Sequence, residues 1–172
     1  MSSLTILPFL ASLTYVGDVG LTQVEHHWGP PNDKHAHFTY NLKSLGITAW
    51  HPSNFGFRVA HGKGEEAGTL GTYRALLIDF ESVTSFELLY KYPLNSRIEV
   101  IAGLGTYLMP MPRYYKADHK LEATDSDDDE GYFIGITYNL TEDLSVSYRY
   151  THYSQINSEY TKGNGIHLNY RF

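Results

Sequence analysis

His152 and Ser154 stand two apart in a stretch that alternates apolar and polar residues, so an extended backbone puts both side chains on one face. An imidazole beside a hydroxyl is the pairing of a general base with a nucleophile, suited to attack on an ester. Without a third group to orient the ring, the pair is simply a polar step at the end of a strand, and this plainer reading is preferred. Four histidines, His26, His27, His35 and His37, gather near one connection and suggest zinc or copper. They form no closed ligand set, so no metal is expected. The run Asp125, Asp127, Asp128, Asp129 and Glu130 lacks the glycine and terminal glutamate of a calcium loop and reads as a solvated connection. No cofactor is expected either.

These groups need strands to position them. In residues 165–172 the apolar positions are Ile166, Leu168, Tyr170 and Phe172, against His167, Asn169 and Arg171. Residues 132–140 set Tyr132, Ile134, Ile136, Tyr138 and Leu140 against Phe133, Gly135, Thr137 and Asn139. Residues 144–154 oppose Leu144, Val146, Tyr148 and Tyr150 to Ser145, Ser147, Arg149 and Thr151. Residues 97–108 do the same with Ile98, Val100, Ala102, Leu104 and Leu108, facing away from Arg97, Glu99 and Tyr107.

Upstream, residues 72–92 read as one long strand with Ile78, Phe80, Phe86, Leu88, Tyr90 and Tyr92 opposite Asp79, Glu81, Glu87 and Lys91. Residues 54–62 alternate Phe55, Phe57 and Val59 with Gly56, Arg58 and Ala60. Residues 36–50 are apolar at Phe38, Tyr40 and Leu42, with a second half readable in either phase and room for a bulge near Ser44. A first strand falls within residues 15–28, where alternation is weak. The count is eight. Short turns at 51–54, 93–96 and 140–143 alternate with long links at 29–35, 62–71, 110–131 and 155–164, which describes an antiparallel up-and-down meander.

Composition narrows the setting. The chain has 172 residues, a net charge of −6 and no cysteine, while 15 Tyr, 8 Phe and 2 Trp favour strands over helices. The acidic balance argues against nucleic acid as a partner. The polar rows carry small residues (Gly56, Ala60, Gly103, Gly105, Gly135) that suit a narrow interior. They also carry both signs of charge: Arg58, Lys91, Arg97, Arg149 and Arg171, with Lys43, against Asp79, Glu81, Glu87 and Glu99. Paired charges belong inside a lumen, with the apolar rows in lipid. Aromatics near strand ends, namely Trp50, Phe55, Tyr90, Tyr92, Tyr138, Tyr148, Tyr150 and Phe172, suit the two headgroup layers. The expected fold is all-β, an eight-stranded antiparallel up-and-down transmembrane barrel over residues 15–172. The short apolar run within residues 1–14 is a signal-peptide remnant or a frayed end. The competing architecture is a soluble lipocalin-like carrier, with the apolar rows inside.

The ending Gly-Ile-His-Leu-Asn-Tyr-Arg-Phe resembles the C-terminal signature of bacterial outer-membrane proteins. Together with the strand count and the alternation of turns and loops, it makes the chain similar to the OmpX/OmpA-type small barrels. That resemblance implies a bacterial outer-membrane location, a monomer in contact with bilayer and lipopolysaccharide, and usually no enzymatic activity. It also implies that Ile166, Leu168, Tyr170 and Phe172 are read by the barrel-assembly machinery. A second, local resemblance is carried by Ser-Tyr-Arg-Tyr-Thr-His-Tyr-Ser-Gln, similar to part of the lipid A deacylase family PagL. It implies His152 as base and Ser154 as nucleophile. The family's glutamate on the last strand is missing, because Ile166 and His167 stand there and Glu159 lies in the preceding link. The expected function is non-enzymatic, structural or surface-interacting, with lipid A deacylation as the first alternative and the soluble carrier as the second.

Overall fold

A computed structural model describes residues 12–27, 37–65, 77–79, 82–110, 113–116, 119–120, 126–153 and 160–172. Within them the strands are β1 (Thr14–His27), β2 (His37–Trp50), β3 (Phe55–Glu65), β4 (Leu77–Asp79), β5 (Val83–Pro93) and β6 (Ile98–Pro110). They continue as β7 (Arg113–Lys116), β8 (His119–Lys120), β9 (Ser126–Asn139), β10 (Leu144–Tyr153) and β11 (Tyr160–Arg171). Eight of them close a barrel in the order β1-β11-β10-β9-β6-β5-β3-β2, every pair antiparallel. β4, β7 and β8 form a separate small sheet on the links between barrel strands. Closure comes from β1 on β11, in register from Val16↔Arg171 to His27↔Tyr160. A closed wall leaves no edge, so the ladder satisfies its own N–H and C=O groups, as a lipid setting demands.

The short connections are built from side chains that bond their own backbone. Asn95 Oδ1 accepts from the N–H groups of Arg97 and Ile98, both at 2.9 Å. Thr141 Oγ1 accepts from Asp143 N at 3.3 Å and Leu144 N at 3.0 Å. In the third turn Asn54 takes φ of 69°, a left-handed conformation that asparagine tolerates better than most residues.

The faces are inverted relative to a soluble barrel. Leu45, Leu88, Leu104, Ile134, Ile136, Ile166 and Leu168 are exposed, whereas Arg58, Glu87 and Arg149 are buried. The carrier architecture with an apolar interior is thereby overturned. Along β1, β3 and β9 roughly nine residues separate the turn end from the exposed polar groups Gln23, Lys63 and Glu130. At about 3.3 Å per residue and a tilt near 40° this makes roughly 23 Å, close to the ~25 Å of a transmembrane barrel's apolar band. Phe55, Tyr90, Tyr92, Tyr138, Tyr148 and Phe172 are exposed on it as expected.

Several expectations need correction. β2 is unbroken in its pairing with β1, from Thr14↔Trp50 to His27↔His37, so no bulge occurs at Ser44. Its phase puts Leu42, Thr48 and Trp50 inside and Leu45 and Ile47 outside. Trp50 is therefore a lumen residue rather than an interfacial one, and Lys43 is exposed rather than a lumen charge. The long strand over 72–92 is not one element, because the barrel strand begins at Val83 and residues 77–79 pair with β7. The acidic run is strand rather than loop from residue 126 on: Asp127, Asp128, Asp129 and Glu130 pair with Met109, Leu108, Tyr107 and Thr106. Backbone pairing along β6 offsets the low strand propensity of aspartate.

Candidate functional site in the barrel interior

The strands deliver one buried charge cluster to the middle of the lumen. Arg58 on β3 donates from Nε to Asp18 Oδ2 at 2.9 Å, from Nη2 to Asp18 Oδ1 at 2.7 Å, and from Nη1 to Glu87 Oε1 at 2.9 Å. Arg149 on β10 donates from Nη1 to the second Glu87 oxygen at 3.0 Å. Ser85 Oγ donates to Glu87 Oε1 at 3.1 Å, and His167 Nδ1 lies 3.2 Å from Asp18 Oδ1, where the carboxylate makes the ring nitrogen the donor. Two guanidinium groups meet two carboxylates, so the formal charge balances. Every member is at most 7% exposed. Burying charges is costly unless each finds partners, and here five strands, β1, β3, β5, β10 and β11, supply them.

Apolar layers flank this cluster. Toward the long links, Val24, Leu42, Val83, Tyr107 and Tyr153 pack together, with the two tyrosine rings edge-on at 4.7 Å. Toward the turns, Trp50, Leu89, Ile101 and Phe133 form the second layer. Phe133 lies under Arg149, its ring centroid 5.0 Å from Cζ, and Lys91 Nζ stands 4.9 Å from the Trp50 centroid. Below the second layer a cavity of about 250 Å³ opens at the turn end. A smaller one of about 50 Å³ lies on the other side, and Arg149 lines both.

The residues expected in the lumen divide accordingly. Arg58, Glu87 and Arg149 come together. Lys91 and Glu99 are half-buried, and with the exposed Arg171 they line the turn-end cavity. Arg97 sits exposed in a turn, its Nη1 3.4 Å from the Tyr138 hydroxyl, so it is no lumen charge. Asp79 belongs to the small sheet and is not part of the wall, and Glu81 lies outside the described residues. Alternation alone does not single out Asp18, because β1 carries glycines and polar residues on both faces. The signal that finds it is charge arithmetic: two buried arginines need a second carboxylate beside Glu87.

His152 is half-buried on the outward face, its ring centroid 4.9 Å from that of Tyr132. Ser154, Glu159 and His35 lie outside the described residues, and His27 pairs in register with His37 through the backbone. Among the described residues no group of three or more His, Cys, Asp or Glu could hold a metal ion. Ile166, Leu168, Tyr170 and Phe172 are all exposed on the outer surface.

No family model and no curated protein matches the sequence. Solved structures that share the architecture include three small barrels. The crystal structure of Neisserial surface protein A aligns with a TM-score of 0.68 at 12% identity, over 92% of this chain and 97% of that one. Ail, the attachment invasion locus protein of Yersinia pestis, solved with the heparin analogue sucrose octasulfate, gives 0.58 at 14%, over 94% and 99%. A de novo designed transmembrane β-barrel gives 0.57 at 12%, over 92% and 95%. At these identities the likeness speaks to the fold, and a designed barrel among the neighbours shows that this fold carries no function by itself. With an apolar outer wall and a charged interior, the chain has the fold of the eight-stranded transmembrane barrels of the bacterial outer membrane.

Proposed function

We propose that this chain is a non-enzymatic outer-membrane protein whose wall anchors it and whose long links meet partners outside the cell. The observation that carries this reading is the Asp18–Arg58–Glu87–Arg149 cluster between two apolar layers, which fills the lumen where a porin would keep water. The chemistry left for recognition then lies in the links. Between β6 and β9, residues 113–120 read Arg-Tyr-Tyr-Lys-Ala-Asp-His-Lys, three cations against one carboxylate in a chain of net −6. Cations with neighbouring aromatics suit a sulfated or phosphorylated glycan, and the complex of Ail with a heparin analogue supports that partner class. Calorimetry with sucrose octasulfate on the detergent-purified full chain tests it. Binding that weakens in Lys116→Ala/Lys120→Ala and is absent with sucrose supports the reading; no binding by the parent chain overturns the glycan partner. Liposome swelling tests the filled lumen separately: solute flux at porin level overturns it.

The second reading is ester hydrolysis in lipid A. The outward, half-buried position of His152 near the polar margin of the apolar band supports it, because the acyl esters of that lipid lie at that depth. Mass spectrometry of lipid A from cells making the parent or Ser154→Ala chain separates the readings. Loss of one acyl chain with the parent alone replaces the non-enzymatic assignment.

A further inference from the structure

We infer that the turn-end cavity is a binding site for a small organic carboxylate, held at its depth by Arg149 and Thr137. The cavity measures about 250 Å³, room for a small molecule rather than a drug-sized one. Arg149 and Thr137 both line it and are 7% and 4% exposed. Among the described residues, Arg149 Nε and Thr137 Oγ1 have no hydrogen-bond partner. Native interiors rarely leave such groups unmade.

The chemistry of these two atoms selects the ligand. A guanidinium N–H only donates, and a hydroxyl can donate beside it. The group that satisfies both is an acceptor with two oxygens and a negative charge, which a carboxylate supplies. Arg149 is already oriented for this by Nη1 on Glu87 and by the Phe133 ring. Ile101 and Trp50 offer apolar wall to an aliphatic stem. The mouth carries both signs, Lys91 and Arg171 against Glu99, Glu142 and Asp143, so the preference for an anion comes from the depth. This site lies at the opposite end from the long links and stands or falls independently of the function proposed above.

The test uses the isotope-labelled full chain in detergent micelles, reading the Arg149 Nε–Hε resonance during titration with butyrate and, separately, butanol. A saturable shift with butyrate and none with butanol is expected. Thr137→Val, nearly isosteric and outside the ion-pair cluster, is expected to weaken butyrate binding about tenfold, the equivalent of one charge-assisted hydrogen bond. Its heat-dependent gel mobility checks that the barrel is intact. An unmoved Arg149 signal, a shift that never saturates, an equal response to butanol, or unchanged affinity in Thr137→Val overturns the site.

Discussion

Arg58 grips both carboxylate oxygens of Asp18, at 2.7 and 2.9 Å, reaching across β2 from β3 to β1. The crossing is possible because position 46 on β2 is glycine: a Cβ there would sit 2.5 Å from Asp18 Oδ2 and 2.7 Å from Arg58 Nη2. Removing one partner of a buried pair leaves the other charge uncompensated and costs on the order of 3–5 kcal/mol. Asp18→Asn is therefore expected to destabilise the barrel by about 3 kcal/mol. Gly46→Ala should act on the same pair by displacing it. Urea unfolding in detergent, followed by gel mobility without heating, measures both. A parent-like midpoint for Asp18→Asn would show that the pair contributes nothing.

The outer wall gives a depth-dependent prediction. Ile134 is 55% exposed near the middle of the apolar band, five residues above Asn139, whereas Glu130 stands at its polar margin. Arginine at a bilayer midplane costs about 2–4 kcal/mol and near the interface about 0–1. Ile134→Arg should thus lower stability in lipid vesicles several-fold more than Glu130→Arg. Equal effects from the two would mean that the band is not centred where the exposed aliphatic residues put it.

Much of this was legible in the residues themselves. Strands β9, β10 and β11 alternate without interruption near the turn end, so their faces follow from period two alone, and Arg149 and His167 fall inside on that basis. In β2, by contrast, both rows carry apolar residues: Leu42 and Trp50 on one, Leu45 and Ile47 on the other. Hydrophobicity cannot choose between them when the interior also has apolar layers, and the pairing with β1 decides. Phase failed at Trp50 for that reason, and Asp18 was hidden by glycines at 17 and 20. Near the long links composition points the wrong way: aspartates signal loops, whereas cross-strand pairing with β6 carries β9 back to Ser126.

Trp50 supplies a direct check on the corrected phase. Its ring packs inside against Gly56, where a Cβ would lie 2.6 Å from Trp50 Cε3, and it is 8% exposed. With Trp28→Phe leaving Trp50 as the sole tryptophan, lipids brominated on the acyl chains should quench its fluorescence weakly. A Phe55→Trp chain in which the other two tryptophans are Phe reports from the lipid side, Phe55 being 61% exposed, and should be quenched strongly. Comparable quenching of the two would return Trp50 to the outer surface.

The last residue separates stability from assembly. Phe172 N donates to Tyr15 O at 3.1 Å, so the backbone ladder that closes β11 on β1 runs to the final residue whatever its side chain. The ring is 67% exposed and lies over Gly17 of β1, where a Cβ would come within 3.4 Å of its Cε1. Truncating a ring that leaves detergent for water on unfolding costs part of the roughly 1.5–3 kcal/mol of a full phenyl transfer. Phe172→Ala is accordingly expected to refold in detergent to the closed barrel, with a urea midpoint only modestly below the parent's. In cells, where Ile166, Leu168, Tyr170 and Phe172 form the proposed assembly signal, the same substitution should lower the folded fraction recovered from outer membranes. Pulse-chase labelling with unheated gels reads that fraction. Parent-like assembly in cells would leave the terminal ring without a recognition role, since its backbone alone then accounts for closure.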